Sequence, residues 1–102
     1  MKQIESSSLP GSDLTFGYVQ IAPGAKNPKH YHPNSDEVLY LLEGTLDHSL
    51  EDEIHQLRPG MAIHIPVGVK HDAINRSGQM ARMVVAYSTG DRQTVMCEDG
   101  AE

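Results

Sequence analysis

The sequence predicts an all-β protein, a sandwich or barrel built from many short strands. Segments rich in β-branched and aromatic residues follow one another at close spacing, and glycine and proline lie between them. No segment has the apolar period of an amphipathic helix. With 102 residues, the chain is long enough for one domain with a core of its own and too short for a second.

The predicted strands are each bounded by residues typical of turns, and they occupy 14–22, 29–32, 37–42, 45–50, 54–57, 61–65, 71–75 and 80–87. Acidic residues 51–53 form the turn of a hairpin, and the corners at 58–60 and 66–68 contain proline and glycine. Residues 1–13 are expected to be an N-terminal arm with at most a short strand. Residues 14–90 should form the β-barrel, and residues 91–102, which lack a convincing period, a C-terminal tail.

Composition excludes several classes of function. The formal charge of −6 argues against a surface for nucleic acid or anionic membrane, because neither would be attracted to it. No apolar run is long enough to cross a bilayer, and the N-terminus does not resemble a signal peptide. The single cysteine, Cys97, excludes an internal disulfide and any zinc motif with several cysteines. A cytoplasmic location is therefore expected.

Two histidines and a carboxylate lie close together in the sequence. His30 and His32 alternate along a predicted strand, so both side chains point to the same face. After the turn at 33–35, either Asp36 or Glu37 can fold back beside them. On the residues alone the two carboxylates compete for this role, although Glu37 is in phase with an apolar-leaning row on its strand. Imidazoles and a carboxylate that converge in this way predict a metal site.

Two spaced motifs cover residues 24–75, and their defined positions are Gly24, His30, His32, Glu37 and Gly44, then Gly60, Pro66, Gly68, His71 and Asn75. At every one of these positions the chain resembles the two signature motifs of the cupin family. The resemblance implies a double-sheet jelly-roll barrel with little or no helix. It also implies that His30, His32, Glu37 and His71 are the ligands of one divalent metal ion per chain.

With a divalent ion, three neutral imidazoles and one carboxylate would give a site of net charge +1. An ion that prefers six ligands would keep one or two positions open for water or substrate. We expect Fe²⁺ or Mn²⁺, and Ni²⁺ or Zn²⁺ would also suit these ligands. Open positions favour an enzyme over a purely structural site, although the cupin fold by itself does not identify a reaction.

Other polar residues are weaker candidates for the catalytic site. Tyr18 and Gln20 share one face of a strand and would present polar tips to a substrate if that face lined the cavity. His64 alternates with apolar neighbours, and its role depends on which row faces inward. His48 and His55 lie in the polar hairpin and are expected to be surface or packing residues, away from the ligands.

These features predict a metal-dependent enzyme that acts on a small oxygenated molecule bound at the metal in the barrel mouth, with dioxygenation as the first choice. One alternative is a metal-dependent isomerase, decarboxylase or lyase of a sugar acid or similar compound. Another is a cupin that binds metal and a small ligand without turnover. Exposed sheet edges and an apolar sheet face also predict a homodimer, to which the N-terminal arm contributes.

Overall fold

A computed structural model describes residues 2–8 and 14–97, which form ten β-strands. The strands are β1 (Lys2–Ser8), β2 (Thr15–Ile21), β3 (Lys26–Tyr31), β4 (Glu37–Glu43), β5 (Leu46–Leu50), β6 (Glu53–Leu57), β7 (Ala62–Ile65), β8 (His71–Ile74), β9 (Ala81–Tyr87) and β10 (Val95–Met96). Within these residues there is no α-helix, and hence no helix able to span a membrane.

The strands form two antiparallel five-stranded sheets. The first sheet has the order β1-β2-β9-β4-β7 and the second the order β10-β3-β8-β5-β6. No ladder of hydrogen bonds joins the two sheets within the described residues, so side-chain packing between their inner faces closes the barrel. The predicted double-sheet jelly roll is therefore confirmed.

All eight strands predicted from the sequence are present, with ends shifted by a few residues. Two further strands were underestimated or missed. β1 is seven residues long and pairs with β2 along its whole length, where at most a short strand was expected. β10 lies in the predicted tail and pairs with β3 through Val95 and Met96. Pairing with neighbours that are already ordered stabilises both segments, although neither has a clear apolar alternation.

The core is apolar at one end of the barrel and polar at the other. Strand β4 is an example, because its buried row begins at Glu37 and continues through Leu39 and Leu41. Strand β9 has a similar row that runs from Ala81 to Tyr87. Tyr87 is paired in register with Glu37, so both residues lie at the polar end. The candidate metal ligands gather at this end.

Gly44 allows a close approach of two strands at the apolar end. Its φ of 83° lies in the left-handed region, where a side chain is disfavoured. A Cβ atom at this position would lie 2.6 Å from the Met80 carbonyl oxygen. This glycine therefore serves a steric purpose in the fold, and it is the last defined position of the first cupin motif.

Candidate metal centre

The four residues predicted as metal ligands come from both sheets. His30 lies near the end of β3, and His32 follows one residue after that strand. Glu37 and His71 are the first residues of β4 and β8. All four residues are buried, and His30 is paired in register with His71. The ends of these strands thus bring together residues that are up to 41 positions apart in the sequence.

The three histidines converge tightly. Each of them offers one ring nitrogen to a group in which all the donor atoms lie within 4.8 Å of one another. The ring centroids of His30 and His71 are 4.2 Å apart, and those of His30 and His32 are 4.9 Å apart. His30, His32 and His71 could therefore hold a metal ion. The Oε1 atom of Glu37 lies 3.3 Å from Nε2 of His32 and 3.4 Å from Nε2 of His71.

Hydrogen bonds to backbone carbonyls fix the orientation of all three rings. Nδ1 of His30 lies 2.7 Å from the carbonyl oxygen of Pro28, and Nδ1 of His71 lies 3.0 Å from that of Val69. Nδ1 of His32 lies 2.9 Å from the carbonyl oxygen of Gln93. Because a carbonyl can only accept, each Nδ1 is the protonated nitrogen, and each Nε2 keeps a free lone pair. These Nε2 atoms are suited to bind a cation.

Polar atoms at the centre lack the partners that buried groups normally have. Nε2 of His32, Nε2 of His71 and Oε1 of Glu37 are buried without a hydrogen-bond partner of good geometry among the described residues. Leaving three such atoms unsatisfied in one place would be costly for a folded protein. A divalent cation would satisfy all three atoms at once, so the residues present fit a bound metal.

The pKa values of His30 and Glu37 are shifted in the directions that favour cation binding. Burial lowers the pKa of His30 to about 4, so its imidazole is neutral at pH 7. Burial alone would raise the pKa of Glu37, but the contacts with His32 and His71 outweigh it and lower the pKa to about 2. Neutral imidazoles and an ionised carboxylate are the protonation states that metal binding requires.

A proline–glycine corner sets the position of His71. Gly68, with a φ of 79°, turns the chain between β7 and β8. Its backbone N–H donates to the carbonyl oxygen of His32 at 3.0 Å. The corner is therefore attached directly to the segment that carries the second histidine, and His71 follows it by three residues.

Sequence reasoning missed His48, which the expectation placed away from the ligands. This residue is 1% exposed, and its ring stacks on that of His71 with a centroid distance of 5.7 Å and an interplanar angle of 10°. Its Nδ1 is buried without a hydrogen-bond partner among the described residues. The signal that could have found it is its alternation with Leu46, another buried residue of β5. His55, by contrast, is exposed as expected.

The weaker catalytic candidates from the sequence lie outside the barrel. On β2 the buried row contains Val19 and Ile21, so Tyr18 and Gln20 project from the opposite face of the sheet. On β7 the buried row ends at Ile65, so His64 also projects outward. The expectation that these side chains present polar groups to the cavity is corrected, because strand alternation directs them away from it.

The two competing carboxylates also separate. Asp36 is partly exposed; its Oδ1 accepts a hydrogen bond from the backbone N–H of Val67 and lies 3.3 Å from Nε2 of His64. Glu37 instead points inward, as the alternation of β4 predicts. Of the two, only Glu37 contacts the histidine cluster.

A small cavity opens beside the histidine cluster. Its volume is about 100 Å³, and the lining residues are Asn27, His30, His32, Tyr87, Arg92, Thr94 and Met96. The rings of His32 and Tyr87 meet edge to face, with centroids 5.4 Å apart. Burial and the charge of Glu37 raise the pKa of Tyr87 against the opposing effect of Arg92, so its phenol is neutral. Sequence reasoning missed Arg92 and Thr94 because they lie in the aperiodic segment.

Residues 17–87 match the family model described as Cupin domain. The polyketide synthase CurC of Streptomyces cyaneus is 34% identical in an alignment of 102 positions that covers 86% of this chain and 66% of CurC. The tetracenomycin polyketide synthase protein TcmJ of Streptomyces glaucescens is 35% identical over 82 residues, covering 80% of this chain and 55% of TcmJ. The chain therefore spans between half and two thirds of the length of these curated relatives.

Solved structures have the same architecture. The protein TT1209 from Thermus thermophilus is 30% identical with a TM-score of 0.73, over 78% of this chain and 75% of that one. A recombinant oxalate oxidase in complex with glycolate has a TM-score of 0.81 at 22% identity, over 93% of this chain and 54% of the oxidase, and it shows likeness of fold alone. With a family model that matches well over half of its residues, the chain belongs to the cupin family.

Proposed function

We propose that the protein is a metal-dependent enzyme that acts on a small oxygenated molecule at the barrel mouth, with dioxygenation as the first choice of reaction. In this proposal His30, His32, Glu37 and His71 hold one divalent ion. The observation that carries it is the group of three buried imidazoles whose Nδ1 atoms are bonded to carbonyls and whose Nε2 atoms face a common point. Fe²⁺ and Mn²⁺ are the favoured ions, and Ni²⁺ and Zn²⁺ also fit these ligands.

The bound ion would supply Lewis acidity and, in the case of Fe²⁺, the capacity to activate O₂. The protein's own residues have supporting tasks. Glu37 reduces the charge of the centre by one, and the carbonyl partners of the histidines keep the rings from rotating. Tyr87 and Met96 form part of the cavity wall and limit the access of water.

The preference for oxygen chemistry is supported by the shortage of a general base. Apart from the histidines themselves, the lining residues among those described are Asn27, Tyr87, Arg92, Thr94 and Met96. The amide, the hydroxyl and the thioether in this set are poor bases, the guanidinium keeps its proton, and the raised pKa of Tyr87 keeps its phenol protonated. Isomerase or lyase chemistry would need a proton acceptor at this position.

The names of the relatives bear on the substrate class. Two of them carry "polyketide synthase" in their names, and polyketides are rich in ketone and enol oxygens. Such oxygens can bind a divalent ion at its open positions. This favours a ketone- or enol-bearing substrate over the sugar acid of the isomerase or lyase alternative.

The test is anaerobic reconstitution with Fe²⁺ or Mn²⁺, followed by elemental analysis and oxygen-uptake assays with diketones, catechols and thiols. We expect His32→Ala and His71→Ala each to lower the metal content while a folded β-protein remains. His55→Ala is the matched control, because this exposed histidine lies in the hairpin away from the cluster. Unchanged metal stoichiometry in both cluster variants would contradict the assignment of ligands.

Oxygen uptake that depends on added Fe²⁺ would select dioxygenation. If sugar acids are turned over under Mn²⁺ or Zn²⁺ without oxygen uptake, the isomerase or lyase alternative replaces the first choice. If metal binds and neither the sugar acids nor the diketones, catechols and thiols react, the alternative of a cupin that binds without turnover is favoured.

We also propose that the protein is a homodimer. Support comes from the outer face of the first sheet, where large apolar side chains are exposed, among them Phe16, Val38, Tyr40 and Leu42. A second copy related by two-fold symmetry would cover this face with an identical one. The cytoplasmic location and the division into arm (1–13), barrel (14–90) and tail (91–102) remain predictions from the sequence.

A further inference from the structure

Arg92 lies in the cavity wall beside the histidine cluster, and its charge has no part in holding the metal. The segment that carries it is tied to the metal centre. The carbonyl oxygen of Gln93 accepts the hydrogen bond from Nδ1 of His32, and Thr94 Oγ1 lies 3.2 Å from the same nitrogen. The backbone next to Arg92 is therefore anchored to one of the three histidines.

The guanidinium of Arg92 lacks a counter-ion among the described residues, in which no carboxylate oxygen lies within 4.0 Å of it. Its Nε and Nη1 atoms are buried without a hydrogen-bond partner in the same part of the chain. Arg76, which is exposed, and Arg82, which is partly buried, by contrast each contact a carboxylate at 3.1 Å. Arg92 is thus a partly buried cation that has two buried guanidinium nitrogens and, among the described residues, no carboxylate contact.

Tyr87 compensates this charge only in part. The guanidinium carbon of Arg92 lies 4.2 Å from the centroid of the Tyr87 ring, a cation–π contact. That contact stabilises the cation and holds it over the wall of the cavity, but it provides no hydrogen-bond acceptor of the strength of a carboxylate. A partly buried charge without an ionic partner is costly, and such charges are characteristic of sites where a ligand supplies the partner.

The net charge of the whole site also favours an anionic ligand. With a divalent ion, three neutral imidazoles and the carboxylate of Glu37, the metal centre carries +1. The guanidinium of Arg92 raises the total to +2 beside a cavity of about 100 Å³, in a chain whose formal charge is −6. With the ion bound, the cavity would be a local positive site in an acidic protein and would attract anions.

We propose that Arg92 is the anion-binding residue of this site and that the substrate carries a carboxylate, which pairs with the guanidinium while another oxygen of the same molecule faces the metal. The inference rests on the proposed function and specifies its substrate class. The volume restricts the choice to a small acid, because pockets for drug-sized ligands are typically about 300–1,000 Å³. A small keto acid has both oxygen groups within a few bonds, and a small hydroxy acid presents the same pair of groups and can serve as a probe.

The test measures binding of glycolate and of its neutral amide, glycolamide, to the Mn²⁺-loaded protein by titration calorimetry. We expect Arg92→Gln to bind glycolate about 10- to 100-fold more weakly than the wild type, because a hydrogen-bonded charge pair is lost. Glycolamide affinity should be the same in both proteins. Arg92→Lys should recover part of the glycolate affinity, since it restores the charge without the planar donor group.

Arg82→Gln is the matched control, because it removes an equal charge from the outer surface and should bind glycolate like the wild type. Circular dichroism and elemental analysis on every variant separate a loss of anion binding from a loss of fold or metal. Equal glycolate affinity in the wild type and in Arg92→Gln, or no glycolate binding by the wild type, would overturn the inference.

Failure of the proposed function gives a different result. If the wild type takes up no metal, the ligand assignment fails, and the glycolate titrations are then judged on the metal-free protein. A loss of at least tenfold in Arg92→Gln in that state would sustain the anion-binding role of Arg92 by itself. No difference between the two metal-free proteins would overturn it.

Discussion

Replacing His48 with phenylalanine should make the metal-free protein markedly less sensitive to acid. His48 is buried against His71, and its burial is the main reason that its pKa falls from 6.5 to about 4 in the folded state. The unfolded chain therefore takes up a proton at this residue below pH 6.5, whereas the folded chain resists protonation until about pH 4. Stability that is present above pH 6.5 is lost as the pH falls towards 4.

The size of the effect follows from the two pKa values. Between pH 7 and pH 5 the preferential protonation of the unfolded state at His48 removes about 2 kcal/mol of unfolding free energy. Phenylalanine does not titrate and keeps an aromatic ring against His71, so the variant should not lose this contribution. His30 has the same sign of shift, but it is present in both proteins, and its contribution cancels in the comparison.

Urea denaturation in the presence of a chelator, at pH 7 and at pH 5, would measure the difference. We expect the wild type to lose about 2 kcal/mol more than His48→Phe between the two values. The exposed His55 provides the control, because His55→Phe should follow the wild type. An equal acid-induced loss in the wild type and in His48→Phe would refute the argument that His48 is buried in its neutral form.

Two further predictions concern stability and assembly. Leu41 is fully buried towards the opposite end of β4 from Glu37. Leu41→Ala should therefore lower the free energy of unfolding, measured by urea denaturation, by about 3 kcal/mol while the metal stoichiometry stays unchanged. A parallel loss of metal would contradict the independence of the two ends of the barrel. Sedimentation at micromolar concentration should show a dimer for the wild type and a monomer for Tyr40→Glu, because the variant places a charge on the exposed apolar face. A monomeric wild type would contradict the proposed homodimer.

Local sequence signals were strong for most of the fold and weak for two of its strands. The eight predicted strands are each bounded by residues typical of turns, and several of them are rich in β-branched or aromatic residues, which are properties of the segments themselves. Strand β10 is only two residues long, and its formation depends on pairing with β3. A period cannot be recognised in so short a segment. Strand β1 is rich in serine and also depends on its neighbour for order.

In the candidate site, too, sequence patterns placed some residues and left others undecided. The spacing of the cupin motif selects Glu37 over Asp36, and alternation with the leucines of its own strand agrees with that choice. The inward position of Glu37 agrees with both. For His64 alternation left both faces open, since only packing of β7 against the rest of the barrel decides which row is buried. Arg92 reaches the cavity through a loop whose path depends on contacts with residues far away in the sequence. Local sequence patterns do not encode such contacts.

The hydrogen bond between His32 and the carbonyl oxygen of Gln93 couples metal affinity to the docking of the C-terminal segment. The two residues are 61 positions apart, so the ring of His32 is held in place only while that segment is docked. By thermodynamic linkage, a metal that prefers the fixed ring strengthens the docking of residues 91–97, and undocking weakens the metal site by the same free energy. Because Arg92 lies in the same segment, an anion bound to it would contribute to this linkage, and slow exchange of the backbone amides there would report the loading of the site.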